Sequence, residues 1–190
     1  RGIMKIYIFR HGETTYNRDQ RFTGFDDPPL TELGLKQAEI IAEKLKDKKF
    51  EIAYQTSLQR SKDTLKAVLK YHPDCKEIIE DNRILERNYG QLNGTTHADF
   101  IAQNGKEKFD LIHRGFFEAP PGGESFAMVE TRVQSFVDDL IPLMKKEKTN
   151  VAISAHGNSI RLFRKIMENA SVEETCSWII PYDDYYQYEI

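Results

Sequence analysis

The sequence predicts an α/β fold with a largely parallel central sheet, and three observations lead there. Short apolar, β-rich runs at 5–9, 51–54 and 149–154 have the length and composition of buried strands. Helical patterns lie between them, the alternation that favours parallel pairing. Polar chemistry then begins abruptly where two of the runs end, at Arg10-His11-Gly12-Glu13 and at Ala155-His156-Gly157-Asn158. In open α/β sheets, ligands bind beyond the carboxyl ends of the strands.

Taken in order, Lys5-Ile6-Tyr7-Ile8-Phe9 forms the first strand, and the polar, Gly- and Pro-containing stretch 14–29 is a long structured loop. Thr31 is placed to cap a helix whose apolar face is Leu35, Ala38, Ile41, Ala42 and Leu45, ending near Lys48. Residues 51–54 form the second strand, with Thr56-Ser57 as the cap of a helix reaching about 71, and 76–79 a third. The glycine-rich stretch 83–124 is irregular and reads as an excursion over the top of the sheet carrying one or two short helices. A long amphipathic helix is predicted over about 124–146, a strongly apolar strand over 149–154, a helix opening at 155–158, and a final edge strand over 186–190. No internal repeat or linker divides the chain, so one domain over 4–190 is expected, with about 87–123 covering the site.

Bulk chemistry removes several function classes. With 27 basic and 30 acidic side chains the formal charge is −3, so nothing draws the whole chain to nucleic acid or an anionic membrane. An anionic substrate therefore needs a local cluster of cations. Cys75 and Cys176 lie far apart without C-x-x-C spacing, which speaks against a disulfide framework or thiolate metal site and suits a reducing, cytoplasmic setting. The opening Arg1-Gly2-Ile3-Met4 lacks the apolar region of a secretory signal. No apolar run reaches membrane-spanning length, and no His/Asp/Glu spacing suggests a metal site.

Arg10 and His11 are the first candidates for chemistry. The flanking guanidinium disfavours imidazolium, leaving a ring nitrogen lone pair free to attack, and the same arginine can grip phosphate oxygens in bidentate fashion. Alone, His11 would be read as a loop-bonding residue, Arg60 as a surface ion pair and His156 as a helix cap. Their joint placement at strand ends, with a helix N-terminus at 156–158, instead suggests one phosphate pocket. Glu86 reads either as a salt bridge to Arg87 or as a proton donor. His72 and Arg83 are left as surface or packing residues, and Tyr182, Tyr185, Tyr186 and Tyr188 as cover for the core.

The order of motifs resembles the histidine phosphatase superfamily, and its cofactor-dependent phosphoglycerate mutase branch in particular. The motifs are Arg10-His11-Gly12-Glu13-Thr14 with Asn17, Phe22-Thr23-Gly24, Leu30-Thr31-Glu32-x-Gly34 and Thr56-Ser57-x-x-Arg60-x-x-x-Thr64. They continue with Leu85-Glu86-Arg87-x-Tyr89-Gly90, Pro120-Pro121-Gly122-Gly123-Glu124-Ser125 and Ala155-His156-Gly157-Asn158-Ser159-Ile160-Arg161. The resemblance implies a three-layer sandwich with helices on both faces of the sheet. It implies that His11 takes the phosphoryl group while Arg10, Arg60, His156 and Asn17 hold its oxygens. Glu86 would protonate the leaving oxygen and later activate water. Thr23, Gly24, Arg87, Tyr89, His97, Arg114 and Gly157 would face the substrate, and Asn158 would offer its backbone N–H. No metal is implied, because fixed cations supply the charge that a loose phosphoryl transition state requires.

The sequence departs from the mutase pattern at two cations. His97 stands where that branch carries a lysine, and His113-Arg114 stands where it carries an arginine pair. The expected activity is therefore phosphohistidine-mediated hydrolysis of a small phosphorylated metabolite, with no cofactor. The alternative is a phosphoglycerate mutase primed by 2,3-bisphosphoglycerate, and a remote one is an inactive phospho-ligand binder. Neither nucleic acid nor membrane is an expected partner, and homo-oligomerisation is left open.

Overall fold

The computed structural model describes residues 2–190, so Arg1 of the N-terminal stretch lies outside the described residues. Five strands form one sheet: β1 (Lys5–Arg10), β2 (Ile52–Gln55), β3 (Glu77–Glu80), β4 (Val151–Ala155) and β5 (Tyr185–Glu189). Their spatial order is β3-β2-β4-β1-β5, with every pairing parallel except the antiparallel edge pair β1–β5. Among the described residues eight α-helices accompany the sheet. They are α1 (Thr15–Arg18), α2 (Glu32–Leu45), α3 (Gln59–Leu69), α4 (His97–Asn104), α5 (Lys106–Arg114), α6 (Phe126–Glu147), α7 (Gly157–Glu168) and α8 (Val172–Ser177).

Strand alternation builds the three layers. Ile6 and Ile8 of β1, with Val151 and Ile153 of β4, pack against Phe126, Val133, Phe136 and Leu140 of α6 and Ile160 and Phe163 of α7. Tyr7 and Phe9 point the other way, onto Ile41, Ala42 and Leu45 of α2 and Leu65 and Val68 of α3. A strand buried on both faces must read as a continuous apolar run, and β1 and β4 do so. A third, smaller cluster of Phe22, Tyr89, Phe100, Phe109 and Ile112 sits under α4 and α5. The excursion over 83–124 thus carries two helices and has a core of its own.

Two local expectations shift. Thr31 caps α2 as expected, accepting from the Gly34 amide at 3.0 Å. Thr56, by contrast, is not the cap of α3: Leu58 occupies that position without a side-chain bond, and the Thr56 hydroxyl is engaged 2.8 Å from His156 Nε2. A hydroxyl that could satisfy a helix end instead meets a buried imidazole with no other partner for that nitrogen. The cap of α6 is Ser125, one residue inside the expected start, accepting from Met128 N. His72 and Arg83 take packing and surface roles, His72 against Phe50 and Arg83 on Asp81 and Asp139.

Candidate active site

The register of the two central strands assembles the pocket. Arg10 pairs with Ala155, so His11 and His156 emerge side by side at adjacent carboxyl ends, and His11 N donates to Ala155 O at 3.1 Å. Their ring centroids lie 5.0 Å apart and both residues are buried. His11 Nδ1 is 2.7 Å from Gly12 O. A carbonyl only accepts, so Nδ1 carries the proton and Nε2 holds the lone pair. Burial, with Arg60 and Arg10 adding to it, holds the His11 pKa well below the usual imidazole range. The ring is neutral, in a single tautomer, with Nε2 unprotonated.

Arg60 is fully buried, which rules out the surface ion pair. Its Nε donates to His11 Nε2 at 3.3 Å, while Nη1 and Nη2 fasten Asp26 O and Gly24 O at 2.6 and 2.9 Å. Burial lowers its pKa to about 10, which leaves it cationic at neutral pH. His156 does occupy the N-cap position of α7, yet its ring reaches Thr56 through Nε2, and its buried Nδ1 has no partner. Burial, then Arg60 and His11, push its pKa well down. Arg10 donates Nη1 to Ile180 O at 2.7 Å, and its buried Nε is likewise unpartnered. Arg10 Nε and His156 Nδ1, both buried without a partner near His11, could contact an anion.

Glu86 is buried, and its Oε1 accepts from Arg87 N and Asn158 N, both at 2.9 Å. The salt bridge to Arg87 does not form. The Arg87 guanidinium is wholly buried and donates to three carbonyls, Glu124 O, Ile112 O and Glu118 O, at 2.6 to 2.9 Å. Arg87 therefore ties the excursion together and stays outside the cleft, contrary to the substrate-facing expectation. Gly24 is also set back, its carbonyl anchoring Arg60 from a φ of 53°. The Asn158 N–H, expected to face the anion, is engaged by Glu86. Gly157, first residue of α7, keeps one of the amides that a helix leaves without an internal acceptor.

A cleft of about 480 Å³ opens beside these groups; His11, Arg60 and His156 are buried and are not among the residues that line it. Arg10, Asn17, Thr23, Glu86, Tyr89, His97, Arg114, Gly157 and Asn158 line it, as the resemblance implies. Asn17 Oδ1 accepts from Thr14 N and Thr14 Oγ1, which leaves its Nδ2 for the cleft. Arg21, Arg161 and Tyr182 also line it, and sequence reasoning assigned none of them to the site. Arg161 follows Asn158 by one helical turn and bonds its Oδ1, a spacing that could have marked it. Arg21 and Tyr182 come from irregular segments with no local signal. Tyr182, grouped by sequence with the core-covering tyrosines, belongs to the cleft instead. At the far end His97 and His113 lie 5.3 Å apart, against Phe22 and Phe109. Burial first and Arg114 second lower both pKa values, that of His113 to about 3. Among the described residues no cluster of His, Cys, Asp or Glu could hold a metal, and no helix is long and apolar enough to cross a membrane.

Fold and site together define an α/β enzyme of phosphoryl transfer built around a neutral, buried histidine. The chain belongs to the histidine phosphatase superfamily, branch 1, whose family model matches residues 6–189. It is 36% identical over 172 residues to 2,3-bisphosphoglycerate-dependent phosphoglycerate mutase 2 of Gloeobacter violaceus, covering 89% of this chain and 78% of that protein. It is 37% identical over 162 residues to a phosphoglycerate mutase of Schizosaccharomyces pombe, covering 82% and 75%. Among solved structures it resembles a mycobacterial glucosyl-3-phosphoglycerate phosphatase complexed with VO3. The TM-score is 0.84 and the identity 26%, over 97% of this chain and 90% of the other.

Proposed function

We propose that residues 4–190 act as one domain that hydrolyses a small phosphorylated metabolite through a phosphohistidine at His11. The observation that carries this is the fixed tautomer of His11, whose unprotonated Nε2 is met by Arg60 Nε and lies in a site with two buried nitrogens without partners, Arg10 Nε and His156 Nδ1. The Nε2 lone pair forms the N–P bond as the P–O bond to the leaving group breaks. The leaving oxygen takes a proton from Glu86 Oε2, the carboxyl oxygen not engaged by backbone amides. Water then loses a proton to that oxygen and attacks phosphorus, and the N–P bond electrons return to Nε2. Arg10, Arg60 Nε, His156 Nδ1, Asn17 and the Gly157 amide hold the phosphoryl oxygens throughout, in place of a metal. The setting proposed is cytoplasmic, which suits two free cysteines and a free metabolite as substrate.

A second reading, a mutase primed by 2,3-bisphosphoglycerate, is favoured by the names of the sequence relatives and by Arg21, Arg114 and Arg161 in the cleft. Against it stand His97 and His113, which burial keeps neutral where a second anionic group would need permanent charge. Hydrolysis is expected to outpace phosphoryl return at pH 7.5. The test is an assay with 3-phosphoglycerate and catalytic bisphosphoglycerate, run in EDTA, that follows 2-phosphoglycerate and free phosphate together. Fast isomerisation with little phosphate makes this chain a mutase. A chain that forms no acid-labile phosphopeptide at His11 under quench refutes both readings.

A further inference from the structure

The segment between α8 and β5 lines the cleft with Ile179, Ile180 and Tyr182, and it reaches Arg10 twice. The Ile180 carbonyl accepts from Nη1 at 2.7 Å, and the ring of Tyr182 covers the guanidinium with Cζ 4.0 Å from its centroid. The backbone of Gly157 also presses on it: a Cβ there would lie 3.0 Å from Arg10 Cζ. The ring of Tyr182 stands 6.5 Å from that of His11. Its neighbours in sequence behave differently. Tyr186 and Tyr188 pack onto one face of the sheet and Tyr185 onto the other, whereas Tyr182 joins neither core cluster and lines the cleft. Burial raises the phenol pKa, so at neutral pH the ring meets Arg10 as an uncharged π face and not as a phenolate.

We propose that Tyr182 is a positioning residue for phosphoryl transfer, its ring and the Ile180 carbonyl clamping Arg10 so that Nε and Nη2 remain for the phosphoryl oxygens. This rests on the reading of Arg10 as a phosphoryl-holding group. A guanidinium fixed in advance loses no further rotamer freedom when the anion arrives, and its remaining N–H groups meet the transition state without reorganisation. The ring face supplies the clamp, and the phenol hydroxyl is incidental to it.

The test compares Tyr182→Leu with Tyr182→Phe, reading vanadate affinity and the single-turnover rate of His11 phosphorylation, with thermal melts as a control for folding. Tyr182→Leu should weaken vanadate binding and slow phosphorylation by roughly tenfold each, the loss expected of a desolvated cation–π contact. Tyr182→Phe, which keeps the ring, should restore most of both. Combined with Arg10→Gln, the Leu variant should add little, because its effect runs through Arg10. Equal losses in Phe and Leu would place the function in the hydroxyl and overturn the clamp. So would a Leu variant that binds vanadate normally, or one whose loss persists undiminished beside Arg10→Gln. Vanadate binding needs no turnover, so the clamp can hold even where no phosphopeptide forms, and that result would sink the phosphohistidine reading alone.

Discussion

A free imidazole at pH 7 is mostly neutral but exchanges both protons and tautomers, and a nucleophile can afford neither. The Gly12 carbonyl holds the His11 proton on Nδ1, and burial beside Arg60 and Arg10 disfavours a second proton. In the proposed mechanism the cations that hold the phosphoryl group are thus the same ones that keep His11 unprotonated. Glu86 is placed by the same economy of contacts: two backbone amides fix Oε1 and leave Oε2, the oxygen to which the proposed mechanism assigns proton transfer. Glu86→Gln should cut turnover of alkyl phosphates by about 10²–10⁴-fold while aryl phosphates, whose leaving groups need little protonation, lose far less. The two kcat/KM ratios, measured on one preparation, decide it. Equal losses would make Glu86 a structural hydrogen-bond acceptor.

Among the elements, the excursion over 83–124 depends on arginines that never meet the cleft. Arg87 gathers carbonyls of Ile112, Glu118 and Glu124, and Arg132 of α6 does the same for Arg83, Leu85 and Glu86 while pairing with Glu124. Between them they fix the backbone that carries Glu86 and the end of α5 that carries His113 and Arg114. Arg87→Met keeps much of the volume but orphans three buried carbonyls, at a cost on the order of 3 kcal/mol or more. The melting temperature should fall by roughly 6–12 °C for a domain of this size. KM should rise more than kcat falls, because Arg114 moves with α5 while His11 does not. An unchanged melting temperature would contradict this account.

Across the whole molecule, acid should be the sensitive direction. All five histidines have folded-state pKa values below the ordinary one: His11, His72, His97, His113 and His156. Below pH of about 6.5 the unfolded chain takes up protons that the folded chain refuses, so stability is full above that pH and falls as the solution is acidified. Each deeply lowered histidine contributes a slope of up to about 1.4 kcal/mol per pH unit. For His113 the window runs from about 6.5 down to about 3. Urea midpoints at pH 7.5 and 5.5 should differ clearly, and His113→Gln should make the acid limb shallower. A stability flat across that range would mean that these rings are hydrated in the native state.

The sequence by itself determined the α/β class and marked the strand ends that carry the candidate site. Short apolar runs bounded by polar punctuation read as strands covered on both faces, and Arg10, His11 and His156 directly follow two of them, at the strand ends where ligands bind; that those two strands are neighbours is a fact of the folded sheet. Tertiary structure alone decided what lies across from them. The family resemblance implies that Arg87 faces the substrate, yet it is consumed by three carbonyls presented by segments 25 to 37 residues away. Thr56 reads like a cap and serves a histidine 100 residues distant. Arg21 and Tyr182 sit in segments with no period to read, and they join the cleft because the chain folds back over the sheet from both ends of the sequence. Local pattern reports which face of an element is buried; it carries no information about which distant donor or ring will meet the other face. The cleft's far end, and with it the choice of substrate, is made of such meetings.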